Sequence, residues 1–425
     1  MFRGIFREVA NRAFAKPILR PGPSSPRVFE PALLVARPES ASARSLHSGH
    51  MDPLSLTGEE FVALAAPALR GGGGGREAAR EAYARFHREG IVTAPTAGAR
   101  IAGITGVQRS QSPEGEVVKF LLPVEDDGAS AGRAGGSLET ESVLIPMIGR
   151  GGERHYTLCV SSQVGCAMGC TFCETAQMGL IRSLRASEIV AQWHAATHQL
   201  GQRVRNIVFM GMGEPLDNFD EVVRAIAVLK DHLGPGVAVS RITVSTVGRL
   251  DGLSRLREKI HEPGWHRLNL AVSLNAPNDE VRSRIMPVNR AMPLAALQRM
   301  LLDWPVYGGG KLCLEYVLIP GVNDGADHAR EIAEFVRPFR PSEGPPRALI
   351  NLIPYNPRRD SPWPAPGEAD VAAFIERLIS LGVFVKRRRT KGRDMMGACG
   401  QLGNERIRRR RFVTLTREAH ASEAS

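Results

Sequence analysis

The sequence predicts an α/β protein: an open, partial (β/α)6 barrel preceded by a small α+β accessory domain. Two observations carry this. From residue 156 onward, strand-like runs at 156–160, 206–210, 241–245, 268–274, 312–319 and 348–353 alternate with amphipathic stretches near 187–200, 218–232, 249–258, 294–303, 325–338 and 368–381. Strand and helix in strict alternation imply a parallel sheet with right-handed crossovers. Six units are fewer than the eight of a closed TIM barrel. A doubly wound open sheet has the same periodicity and stays open as the alternative. In the barrel, ligands gather at the C-terminal ends of the strands.

The elements follow in order. Residues 1–50 hold eight Lys or Arg against three acids (Glu8, Glu30, Glu39), with Phe2, Ile5, Phe6, Phe14 and Ile18 among the arginines. That composition predicts an organelle transit peptide, for a chloroplast or mitochondrion, rather than part of the fold. A disordered extension, or sequence upstream of a start at Met51, is the alternative and would leave the protein in the cytoplasm. Residues 52–92 carry a helical pattern (Glu59, Phe61, Leu64, Leu69), a flexible glycine run at 71–75, and a second amphipathic stretch, 77–88, with Ala78, Ala82, Tyr83 and Phe86 on one side. Strands are expected at 117–122 (VVKFLL) and 141–145 (ESVLI), separated by a Gly/Ala/Ser linker at 128–137. The expected division is therefore an accessory domain over 52–150, a core over 151–402 and a basic tail over 403–425.

Composition excludes several classes. With 43% hydrophobic and 23% charged residues, the chain of 425 is not wholly disordered. No run of about 18 uncharged apolar residues is present, so no membrane-spanning helix is expected. Six cysteines are too few for a disulfide scaffold. A net charge of +11 favours an anionic partner such as nucleic acid. Basic runs, Lys386 to Arg389 with Lys391 and Arg393, and later Arg406 and Arg408 to Arg411, are candidate phosphate contacts or plain solubilising charge.

The informative cysteines follow the first barrel strand: Cys166, Cys170 and Cys173 in the string CAMGCTFC. Three thiolates in one glycine-containing loop can converge on one metal centre. A structural zinc site takes four ligands, with His155 as the only nearby addition. A 4Fe-4S cluster held by three cysteines keeps one iron open for a small molecule. After the second strand, 211–215 (GMGEP) places a flexible loop and one carboxylate, Glu214, at a strand end.

The spacing C-x3-C-x2-C with Phe172 before the last cysteine resembles the signature of the radical S-adenosylmethionine superfamily. Outside it, the strings 157–166 (TLCVSSQVGC), 209–215 (FMGMGEP), 243–246 (TVST), 271–277 (AVSLNAP), 351–356 (NLIPYN) and 397–402 (GACGQL) occur in the order of the RlmN family of rRNA adenine-C2 methylating enzymes. The match is weaker over 52–140 and absent over 1–50.

The resemblance implies a 4Fe-4S cluster on Cys166, Cys170 and Cys173, and two molecules of S-adenosylmethionine per turnover. One methylates Cys399; the other is cleaved to a 5′-deoxyadenosyl radical that activates the methyl group. Cys399 is then the methyl carrier, Cys159 the thiol that resolves the protein–RNA adduct, and Glu141 the general base. Gly213, Glu214, Ser245, Ser273, Leu274, Asn275 and Asn356 match the family's cofactor contacts; the family usually has His where Asn275 stands. Cys313 matches no motif and is expected to pack in the core. The connection at 147–156 looks longer than usual. Implied partners are rRNA, with tRNA a further candidate, an external electron donor and a disulfide reductant; a monomer is expected. The rival readings are methylation at C8, a radical activase or metabolite enzyme that needs no Cys399, and a zinc-binding protein.

Overall fold

The strands of the main sheet run β1-β2-β3-β4-β7-β8-β9-β10-β11-β12, from Gly106–Ser112 (β1), Gly115–Val124 (β2), Leu138–Ile148 (β3) and Arg154–Cys159 (β4) to Val204–Phe209 (β7), Ile242–Thr246 (β8), Asn269–Ser273 (β9), Leu312–Leu318 (β10), Ala348–Pro354 (β11) and Val385–Arg387 (β12). Gln163–Val164 (β5) and Arg182–Ser183 (β6) form a separate two-stranded ribbon. These elements come from a computed structural model that describes residues 51–69, 74–125, 138–149, 151–307 and 310–403. The expected transit peptide, the centre of the glycine run, the 128–137 linker and the basic tail beyond residue 403 lie outside the described residues.

From β4 to β12 the pairing is parallel, and spatial order follows chain order without reversal. A doubly wound sheet reverses its order at a switch point, so the partial barrel is the architecture. Each expected barrel strand is present to within two residues. The short β12 adds a seventh parallel strand that its basic sequence, VKR, conceals. Helices fill the crossovers. In Phe219–Leu229, Val222, Ala225, Ile226 and Leu229 recur at helical spacing and are buried, with Asp220 and Glu221 at the positive N-terminal end. Helix Asp279–Ile285, rich in arginine and acid, is an element the periodicity does not announce.

The expected boundary at residue 150 falls within one sheet. β1, β2 and β3 form an antiparallel meander, and β3 pairs with β4, so the accessory strands extend the barrel sheet. Phe86, Val118, Phe120 and Leu144 share one hydrophobic core with Leu158, Ile207 and Leu314, and the described residues belong to one compact unit. The physical reason is that β2 is buried on both faces from Val117 to Phe120, which a free-standing hairpin would not allow. Residues 147–156 lengthen the β3–β4 hairpin (Met147 opposite His155, Ile148 opposite Arg154) and leave the register near Glu141 and Cys159 intact. In the N-terminal helix Gly75–Glu89 the buried face is Ala79, Ala82, Tyr83 and Phe86; the expected Ala78 faces out. Among the described residues no helix is long and apolar enough to cross a membrane.

Candidate active site

A cavity opens at the C-terminal ends of the parallel strands. Its lining includes Cys166, Cys170 and Cys173, then Gly213 and Glu214, Ser245, Ser273, Asn275, Asn356 and Cys399, drawn from six chain segments. Cys159 and Glu141 are buried and do not belong to this lining, and Leu274 packs in the core.

The cysteine loop is built locally. Gly165 has φ +78°, and a Cβ there would stand 1.8 Å from the Gly179 carbonyl oxygen, so only glycine turns the chain into Cys166. The Cys166 amide donates to that same carbonyl at 3.1 Å. Gln177 donates to the carbonyls of Cys170 and Cys173 at 3.3 and 3.2 Å. All three thiols are pushed up by burial, Cys166 to about 12, and the anions of Cys166, Cys170 and Cys173 repel one another. The trio lacks positive charge, and Arg282 supplies some of it. Its fully buried guanidinium donates to the carbonyls of Leu274, Ser273 and Val247 and to Asn289 Oδ1, and it favours the Cys170 thiolate. A cationic iron–sulfur core bound to the three sulfurs would supply the rest, so the residues fit that group. Among the described residues no three His, Cys, Asp or Glu side chains close on a single metal ion, and the three thiols border a shared opening.

Gly213 has φ +100°, with the Gln163 side chain 2.5 Å from where a Cβ would sit. This close turn brings Glu214 into the cavity. Its carboxylate accepts from the amides of Leu216 (3.0 Å) and Val247 (2.9 Å), while burial pushes it up to about 7. A half-titrated carboxylate with vacant lone pairs is suited to an ammonium group, which would favour its charged form. Ser245 donates to Glu315 Oε2 at 2.8 Å, and Arg388 pairs with Glu315 Oε1 at 3.3 Å. Glu315 and Arg388 both line the cavity, and neither stands out in the sequence. The glutamate is hidden in an apolar strand and the arginine in a charge run. Asn275 has φ +56°, a region asparagine tolerates. Its Oδ1 accepts from the Val317 amide at 3.0 Å, so its oxygen joins β9 to β10 and its NH2 remains on the cavity side, 3.4 Å from Met286 Sδ. Asn356 accepts from Arg393 and donates weakly to the Cys399 carbonyl.

Cys399 sits in a loop anchored at several points. Gln401 donates to the Pro357 carbonyl at 2.9 Å, the Glu174 amide to that of Gly400 at 2.7 Å, and Thr175 to that of Leu402 at 2.5 Å. Burial pushes its thiol up and the Arg388 guanidinium pulls it back down. Cys159, at the end of β4, is within electrostatic reach of Cys399 and is pushed up to about 12 by burial. Glu141 is buried on β3 and pairs with Lys119 at 3.0 Å; its Oε2 also accepts from the Gly403 amide at 3.3 Å. Most of the first basic run has carboxylate partners within the chain: Arg388 pairs with buried Glu315 and Lys391 with Glu114, while exposed Arg387 and Arg389 pair at the surface with Glu368 and Glu114. Of that run Lys386 projects beside Phe384, 5.8 Å from the ring centre.

Comparison with known proteins agrees with this geometry. Residues 160–336 match the family model of the Radical SAM superfamily. The probable dual-specificity RNA methyltransferase RlmN 1 of Protochlamydia amoebophila is 42% identical over 299 residues, covering 70% of this chain and 76% of that one. The dual-specificity RNA methyltransferase RlmN of Nitratidesulfovibrio vulgaris is 43% identical over 291 residues, 67% of this chain and 73% of that one. A crystal structure of a radical SAM methyltransferase from Sphaerobacter thermophilus superposes with a TM-score of 0.68 at 33% identity, covering 83% of this chain and 98% of that one. Superfamily membership implies a 4Fe-4S cluster and S-adenosylmethionine. The chain belongs to the radical S-adenosylmethionine superfamily and, within it, to the RlmN family of dual-specificity RNA methyltransferases.

Proposed function

We propose that this protein methylates C2 of an adenine in rRNA, and in tRNA, with Cys399 as the methyl carrier, Cys159 as the resolving thiol and Glu141 as the base. The observation that supports this most is that Cys399 and the Cys166/Cys170/Cys173 trio border one cavity. When bound, the cluster on the trio and S-adenosylmethionine supply the methyl group and the one-electron chemistry that an unreactive aromatic carbon demands.

The chain's own residues do the rest. Glu214 holds an ammonium group at the strand ends, and Asn275, Ser273 and Asn356 line the remainder of the ligand space. Arg388 favours the thiolate of Cys399, the form that accepts a methyl group. Glu141, bonded to the Gly403 amide beside the Cys399 loop, takes the proton from the adenine carbon in this proposal. Cys159, within electrostatic reach of Cys399, then attacks its sulfur to form a disulfide and free the product. A reductant must then restore both thiols. Two S-adenosylmethionine molecules per turnover, an external electron donor and a monomeric protein complete the proposal, and residues 1–50 are proposed to direct import into an organelle.

The test uses the reconstituted full chain and an rRNA fragment, with mass spectrometry of the digested RNA. Wild type yields 2-methyladenosine. Cys399→Ala yields none, and Cys159→Ala accumulates RNA covalently attached to Cys399. Full turnover by Cys399→Ala would favour a radical enzyme of another kind, and 8-methyladenosine would move the reaction to C8. A fluorescent fusion of residues 1–60 that stayed diffuse in the cytosol would remove the import proposal.

A further inference from the structure

The segment that carries Cys399 is held from the antiparallel meander, a part of the molecule with no sulfur in the reaction. Lys119 on β2 is buried and pairs with Glu141 on β3 at 3.0 Å. The same ammonium donates to the Met396 carbonyl at 3.3 Å. Glu141 in turn accepts from the Gly403 amide at 3.3 Å. One buried ion pair thus touches both flanks of the 397–402 loop. Met396 has φ +53°, a conformation methionine seldom adopts unless its surroundings hold it. Further contacts lie upstream. Ser110 donates to Asp394 at 2.8 Å, Glu114 pairs with Arg389 and Lys391 at 3.1 and 3.2 Å, and Lys391 donates to the Pro146 carbonyl at 2.7 Å.

We propose that Lys119 is the positioning residue for the Cys399 sulfur: its ammonium locks the Met396 carbonyl and Glu141 together, so that the meander sets where the methyl-carrying loop sits. A buried ammonium that satisfies a carboxylate and a carbonyl at once has a defined geometry. It leaves the sulfur at the cavity and leaves the cysteine trio untouched. The inference rests on Cys399 being the methyl carrier, yet its structural half can be read without turnover.

The experiment compares Lys119→Met and Lys119→Arg with wild type in the reconstituted full chain. Hydrogen exchange is followed at the amides of Gly397 and Gln401, which donate to Gly392 and Ala398 carbonyls within the segment. Lys119→Met is expected to speed their exchange about tenfold or more, because a charge-assisted bond to a buried carbonyl is lost. It should lower kcat for RNA methylation by a similar factor, with KM for RNA within about twofold and iron content unchanged. Lys119→Arg, which keeps donors for both oxygens, should recover most of both losses. Unchanged exchange in Lys119→Met, or a loss confined to KM, would overturn the proposal, as would a failure of Lys119→Arg to rescue. If Lys119→Met does not fold, Glu114→Gln removes the ion pairs to Arg389 and Lys391 that tie the meander to this segment; it should speed exchange over 389–396 severalfold, and no change there sinks the idea. Turnover by Cys399→Ala would instead sink the methyl-carrier reading and leave the exchange result standing.

Discussion

Two segments border the cavity, and they are built in different ways. The cysteine loop is shaped first by its neighbours: Gly165 turns the chain, and Gln177 reaches back seven and four residues to the carbonyls of Cys170 and Cys173, with Ile285 and Arg358 bonded to Thr171 as more distant supports. The Cys399 segment is fixed from afar. Its bonds to Lys119, Glu141 and Thr175 span 277, 262 and 227 residues. A cluster-binding loop must present three sulfurs at set spacing, which local geometry can do. A group-transfer thiol must meet a cofactor, a base and a second thiol from other strands, so only the finished fold can position it.

The largest break in this contrast is Gly165→Ala. The new Cβ would overlap the Gly179 carbonyl at 1.8 Å, and alanine at φ +78° adds on the order of 1–3 kcal/mol of backbone strain. Iron bound after anaerobic reconstitution should fall more than tenfold, with Cys399 still alkylated at its normal rate. Normal iron content would show that the loop is not locally determined.

Arg388→Met strikes the other segment. It leaves Glu315, which is buried, with Ser245 as its remaining donor and should cost about 3 kcal/mol in unfolding free energy. It should also change Cys399. Burial already lifts that thiol above its ordinary range and Arg388 opposes the lift, so removing the guanidinium raises the thiol further. The reactive thiolate then forms only at higher pH. Iodoacetamide labelling of Cys399 near pH 8 should slow about tenfold per pKa unit gained, and the labelling profile should shift to alkaline pH. An unshifted profile would mean that Arg388 serves Glu315 alone. Iron content is expected to stay normal.

The same contrast explains what the sequence made legible. The barrel strands could be read because strands buried on both faces form apolar runs, and the trio because its spacing is local. Glu315 and Arg388 could not, since an isolated acid in LCLEYVL and one arginine among four cations carry no mark of pairing across 73 residues. The boundary at 150 misled for a related reason: the strand–helix alternation begins only at 156, while hydrogen bonds join β3 to β4 across that point. Nor could the carboxylates that pair with Arg387 and Arg389 be read, since Glu368 and Glu114 lie 19 and 275 residues away.

The smallest effects come from two glutamines that hold the two segments. Gln401 is buried and makes both of its bonds within the Cys399 region: it donates to the Pro357 carbonyl at 2.9 Å and accepts from the Ala398 amide at 3.3 Å. Gln401→Ala removes both and leaves the Ala398 amide unpaired, a cost of about 1–3 kcal/mol felt at Cys399. RNA methylation should drop several-fold while iron stays bound. Gln177→Ala removes two long bonds from a loop that Gly165, the Cys166 amide and the Thr171 amide, donating to Ile285, already define. Its cost should stay near 1 kcal/mol or below, with iron content and methylation both within about twofold of wild type. Measured side by side, iron content and methylation rate should part company for Gln401→Ala and move together for Gln177→Ala. The reverse pattern would mean that the cysteine loop, and not the thiol segment, depends on remote support.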